Sequence, residues 1–84
     1  MKIDDDLEEW VLEALKAHGG EATIVEVAKH IWTHHEADLR SSDEIFFNWQ
    51  YDMRWAGDRL SKAGKMRRAK AGNKGRWFLL SKST

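Results

Sequence analysis

The sequence predicts a mainly helical α+β fold. Three observations carry that expectation. Apolar side chains recur at helical spacing up to residue 63, capping residues and glycines punctuate the run, and after Gly64 the period falls to two around a glycine-rich turn. At 84 residues the chain is expected to form a single domain, structured over about residues 5–80. A chain this short buries only about 60–65% of its unfolded surface, so its core has to be compact. With 42% apolar and 33% charged residues it is too apolar for disorder. Cysteine is absent, which excludes disulfides, thiolate metal sites and a cysteine nucleophile. No apolar run approaches the ~20 residues of a membrane span, and Met1-Lys2-Ile3-Asp4-Asp5-Asp6 is too acidic for a signal peptide. A soluble, cytoplasmic protein with no membrane partner is the expectation.

The first helix is expected over about Asp5–His18, where Leu7, Trp10, Val11, Ala14 and Leu15 share a face and Gly19-Gly20 ends the run. Asp4, Asp5 and Asp6 suit its start, where carboxylates cap free amides and face the positive end of the helix dipole. A short strand is expected at Glu21 and Ala22. Thr23 and Glu26 have capping-box spacing and open a second helix. Ile24, Ala28 and Ile31 form its buried stripe, flanked by Val27 and Trp32, and it fades between His35 and Leu39. Ser41 and Glu44 repeat the capping-box spacing at the start of a third helix, which runs to Ala63 and closes at Gly64 in the C′ position. Phe46, Trp49, Met53, Ala56, Leu60 and Ala63 line its core side. Lys65–Ala71 and Arg76–Leu80 read as two strands joined by Gly72-Asn73-Lys74-Gly75. Alternation puts Trp77 and Leu79 on one face of the second strand and Phe78 and Leu80 on the other. Ser81–Thr84 is expected to be a frayed tail. Three helices followed by a basic hairpin, with the short strand completing a three-stranded sheet, is the order of a winged helix-turn-helix.

The net charge of zero hides a segregation. Residues 1–44 hold twelve acidic and four basic side chains, a net −8, and residues 45–84 hold two acidic and ten basic ones, a net +8. Such asymmetry fits a nucleic-acid or other polyanionic partner, and equally two complementary surfaces that attract each other within one fold.

The hairpin carries Arg67, Arg68, Lys70, Lys74 and Arg76 with no acid among them. Cations on a two-stranded wing suit a phosphate backbone or a minor groove. An edge strand also uses cations to resist strand-to-strand association, but usually mixes the signs, so nucleic acid is the favoured reading. The helix before a wing is the usual reading element. Opposite its core stripe lie Phe47, Tyr51, Arg54, Trp55, Asp58 and Lys62, with Asn48 and Arg59 at the margin. Asn48, Arg54 and Arg59 have donors for base edges or phosphates, and Lys62 joins them for phosphate. Phe47, Tyr51 and Trp55, spaced four apart, form an aromatic ridge that a soluble monomer rarely exposes. Three roles fit it: a second buried face, a protein or dimer interface together with Phe78, and a platform for unpaired bases. Burial is the expected one.

His30 and His34 lie one helical turn apart with His35 beside them, but a metal site needs further ligands that the sequence does not offer. A solvated polar helix face is expected instead, with no metal and no cofactor. No nucleophile elbow or phosphate-cradling glycine loop is present, and the carboxylates crowd helix starts, so the chain reads as non-catalytic with no small-molecule substrate.

Arg54-Trp55-Ala56, Leu60 and Ala63-Gly64, followed by Gly75-x-Trp77-x-Leu79, resemble the N-terminal winged-helix domain of Mrr-type restriction endonucleases. Gly20-Glu21-Ala22-Thr23 leading into an isoleucine-rich helix is similar as well. The resemblance spans roughly residues 7–81 and its Trp-Ala…Leu…Ala-Gly string is the more specific part. It implies DNA binding, and it implies that Trp55, Leu60, Trp77 and Leu79 are structural. It supplies no base-reading residues, and the nuclease domain of such enzymes has no counterpart here, so cleavage does not carry over. Phe47 and Tyr51 depart from the pattern.

The expected function is therefore that of a stand-alone winged-helix protein binding double-stranded DNA, such as a small transcriptional regulator. The alternative is a protein-interaction or dimerisation module on the same scaffold that does not bind DNA, favoured by the acidic half and the aromatic ridge.

Overall fold

Helix α1 (Ile3–Ala17) turns Leu7, Trp10, Val11, Ala14 and Leu15 inward, the stripe expected from their spacing. It ends in a Schellman motif, in which the Gly20 amide donates to the Leu15 carbonyl at 2.7 Å and the Gly19 amide to the Lys16 carbonyl at 3.2 Å. The computed structural model describes residues 3–71 and 74–80, and the side chains at 3–5, 70, 71 and 74 lie outside that description. Strand β1 (Glu21–Thr23) leads directly into α2 (Ile24–Leu39). There the expected capping box forms, Thr23 Oγ1 accepting from the Glu26 amide at 3.1 Å and Glu26 Oε1 from the Thr23 amide at 2.8 Å. Burial centres on Val27, Ile31 and Leu39, with Ile24, Ala28 and Trp32 only half-buried against the core. Helix α2 kinks at His35 (φ −132°, ψ 26°) and continues. Its last turn is held by Leu39 in the core and by the His35 ring stacked on Trp10 at 4.1 Å.

Helix α3 (Asp43–Lys62) corrects two expectations. Its N-cap is Ser42, whose Oγ accepts from the Ile45 amide at 3.2 Å. Glu44 then stands at N2, one position short of where a capping-box carboxylate reaches back, so the Ser41–Glu44 box does not form. Ala63 is exposed, because it is the C-cap, where the core stripe has already ended. The close at Gly64 is as expected: the Lys65 amide donates to the Leu60 carbonyl at 2.9 Å and the Gly64 amide to the Ser61 carbonyl at 3.1 Å. Gly64 has φ 78°, the left-handed region that a side chain would strain.

Strands β2 (Met66–Ala71) and β3 (Lys74–Leu79) form an antiparallel hairpin, and β1 pairs antiparallel with the other edge of β3, giving the order β1-β3-β2. Ala71 pairs with Lys74, so Lys74 and Gly75 belong to the strand and not to the turn. The connection shortens to residues 72 and 73, which, with the expected tail over 81–84, lie outside the described residues. Ala22, Met66 and Trp77 face the helices from the sheet and complete a core with Leu60, Met53, Ala56 and Trp49 of α3. The Trp77 ring meets Gly57 of α3 so closely that a Cβ there would lie 2.8 Å from its edge. Helices α1 and α2 and the sheet all approach α3 from its core side.

Candidate interaction surface

The outward face of α3 is uncovered. Phe47, Tyr51 and Trp55 are 77, 63 and 50% exposed, which overturns the expectation that the ridge is a second buried face. The physical reason is economy of neighbours: the elements packed on α3 bury Trp49, Met53, Ala56, Gly57 and Leu60 and leave nothing for the opposite side. Trp55, which the family resemblance implied to be structural, stands with the ridge and contacts Tyr51 edge-on at 6.1 Å. Leu60 and Trp77 are buried and Leu79 packs against the core. Phe78 does not join the ridge. Alternation sends it to the face of the sheet turned away from the helices, where the Arg67 guanidinium covers its ring at 4.8 Å.

The cations predicted to hold phosphate are unequal once their partners are seen. On the α1 flank of α3, Arg59 Nε donates to Glu8 Oε2 at 2.7 Å. On β3, Arg76 donates to Glu21 of β1 at 3.2 Å. Lys62 and Arg68 converge on Asp58 at 3.2 and 2.8 Å. The hydrogen bond from Lys62 first, and then the Lys62 and Arg68 charges, hold the Asp58 carboxyl below its ordinary value against desolvation. Asn48 is exposed and donates back to the Glu44 carbonyl of its own helix at 2.9 Å. Arg54 makes no ion pair among the described residues, and the Lys70 and Lys74 side chains lie outside them.

Two concavities meet at Arg54. A cleft of about 460 Å³ between α3 and the hairpin is lined by Ile24, Arg54, Ser61, Arg68, Ala69, Gly75 and Trp77. A groove of about 570 Å³ between α2 and α3 has Val25, Lys29, Trp32, Phe46, Met53 and Arg54 in its lining. Sequence reasoning missed Val25, Lys29, Ser61 and the hub role of Asp58. The i,i+4 spacing of Asp58 and Lys62 was a readable signal, and so was Val25 standing out of phase with the α2 stripe.

The histidines gather on a carboxylate. His30 Nε2 and His35 Nε2 lie 3.0 and 3.2 Å from Glu13 Oε2, and the His34 ring lies 4.2 Å from that of His30. Burial pushes the Glu13 carboxyl up, but the hydrogen bonds from His30 and His35 and their charge outweigh it and leave it below its ordinary value. Among the described residues no three His, Asp or Glu side chains are arranged to hold a metal ion, and no helix is long and apolar enough to cross a membrane.

Compared with known proteins, the chain matches no family model, no curated relative and no solved structure.

Proposed function

We propose that the chain is a winged helix-turn-helix protein that binds double-stranded DNA without catalysis, as a small transcriptional regulator does. The observation that carries the reading is the cleft between α3 and the hairpin, whose lining includes Arg54, Ser61 and Arg68. Arg54 has no carboxylate partner among the described residues. Arg68 gives one nitrogen to Asp58 and keeps donors for a phosphate, while that bond holds its guanidinium in place. The order of three helices and hairpin, the short strand beside β3 and the resemblance to Mrr-type N-terminal domains support the same reading. The α3 ridge is aromatic, so α3 borders the groove with its Arg54 flank and the phosphates lie along the cleft.

Pairing of Arg59 and Arg76 with acids reduces the expected contacts. Arg54, Arg68 and Lys62 neutralise about three phosphates, for a log-log salt slope near −3, and Lys70 and Lys74 steepen it by up to about 2. The test is a titration of a labelled duplex between about 20 and 200 mM salt, over which affinity should fall by about a thousandfold or more. Arg54→Ala with Arg68→Ala should flatten the slope by about 2. An unchanged slope would remove the cleft from the reading, and no binding at the lowest salt would remove DNA.

A further inference from the structure

We propose that the aromatic ridge of α3 is the seat of a second copy of this chain, paired antiparallel with α3 of the first. The inference goes beyond the DNA reading and does not depend on it. Its first support is area. Taking about 200 Å² for a whole aromatic side chain, the exposures of Phe47, Tyr51 and Trp55 leave roughly 400 Å² of aromatic surface on each copy. That is half of the ~800 Å² per partner in a standard interface, and the polar residues flanking the ridge supply the remainder.

The second support is charge. The outward stripe of α3 begins with Glu44 and ends with Lys62, and Glu44 makes no ion pair among the described residues. Lys62 is 77% exposed and touches Asp58 at 3.2 Å. A parallel pairing would set Glu44 against Glu44 and Lys62 against Lys62. An antiparallel pairing with its two-fold axis at Met53 sets Glu44 against Lys62, Phe47 against Arg59, and Tyr51 against Trp55, each contact occurring twice by symmetry. One register satisfies the aromatic and the ionic parts of the stripe together, and the helix dipoles oppose each other in it. The contact is self-complementary and closes at two copies.

Sedimentation equilibrium of the whole chain at about 5–500 μM and low salt tests it, the mass rising from 9.8 kDa toward twice that value. Tyr51→Ala should weaken association by at least about tenfold, since a central aromatic anchor is lost from both copies. Glu44→Lys and Lys62→Glu should each weaken it by about three- to tenfold through two surface ion pairs, and the two combined should restore it. All these positions are exposed, and far-ultraviolet circular dichroism checks that each variant is folded. A mass of 9.8 kDa at every concentration overturns the proposal. So does association indifferent to Tyr51→Ala, or a double charge reversal as weak as its single parents. Duplex titration of Tyr51→Ala, which changes no charge and removes no proposed phosphate contact, tells loss of self-pairing from loss of DNA binding.

Discussion

Replacing Gly57 by alanine sets two effects against each other at one buried position of α3. In an exposed helix alanine is about 1 kcal/mol better than glycine. Here the added Cβ would lie 2.8 Å from both Cη2 and Cζ2 of Trp77, about 1 Å inside ordinary carbon–carbon contact. The ring has little freedom to move aside. Trp77 is 2% exposed, sits on the central strand, and has Ala22 and Arg68 as its ladder partners. Overpacking costs about 1–3 kcal/mol, and a rigid indole held on both sides puts this case near the upper end. The net loss should be about 1–2 kcal/mol, which in a chain of this length lowers Tm by about 4–16 °C. Urea denaturation followed by tryptophan emission measures it. Trp77→Phe trims the clashing edge, so in its background Gly57→Ala should cost less than in the native chain. A Gly57→Ala protein as stable as the native one, or more stable, would refute the close seam between hairpin and α3.

Other consequences follow from the caps and the carboxylates. Thr23→Ala and Ser42→Ala should each cost about 1 kcal/mol, whereas Ser41→Ala should stay within about 0.5 kcal/mol, all read from urea midpoints. Glu13, Glu26 and Asp58 all sit below their ordinary values of 4.5, 4.5 and 3.8. For Glu26 the backbone hydrogen bond with Thr23 is the leading cause. A depressed folded value means that the contribution is present above the unfolded value and is lost as pH falls through the folded one. The urea midpoint should therefore decline below about pH 4.5, and decline less steeply in Glu26→Gln; an unaltered acid limb in that variant would count against the capping box as its source.

Local signals were the legible part. A capping box or a C′ glycine is written in residues three or four apart, so Thr23–Glu26 and Gly64 could be placed from spacing alone. Two adjacent serines offer the same chemistry, and which one caps α3 depends on where the helix settles against its neighbours. Periodicity also revealed that α3 is apolar on two sides. It could not say that α1, α2 and the sheet cover only one of them, because that is a property of the assembled layers. Glu8 and Arg59 lie 51 residues apart, and no repeat or spacing joins them. Asp58 and Lys62, one turn apart, could have been paired in advance.

The charge segregation along the chain takes a particular form in space. Glu8 on α1 and Glu21 on β1 neutralise Arg59 and Arg76, so acids of the first half meet cations of the second at two edges of the fold. Exposed pairs of this kind contribute only about 0–1 kcal/mol each to stability. Their larger effect is on the field. Positive charge is cancelled on the α1 flank of α3 and survives on the hairpin flank, where Arg54 and Arg68 border one cleft and Asp58 is shared by Lys62 and Arg68. A phosphate approaching from the α1 side meets an arginine already paired with Glu8, and one approaching the cleft meets two guanidinium groups. For the proposed DNA complex this sets the orientation without any base contact: the backbone runs past the hairpin and α1 is turned away. A single charge change at Glu8 tests that geometry, because Glu8→Gln removes a carboxylate from the α1 flank alone and should leave the duplex salt slope within about 0.5 of native. A slope steeper by about 1 would place the α1 flank against the DNA.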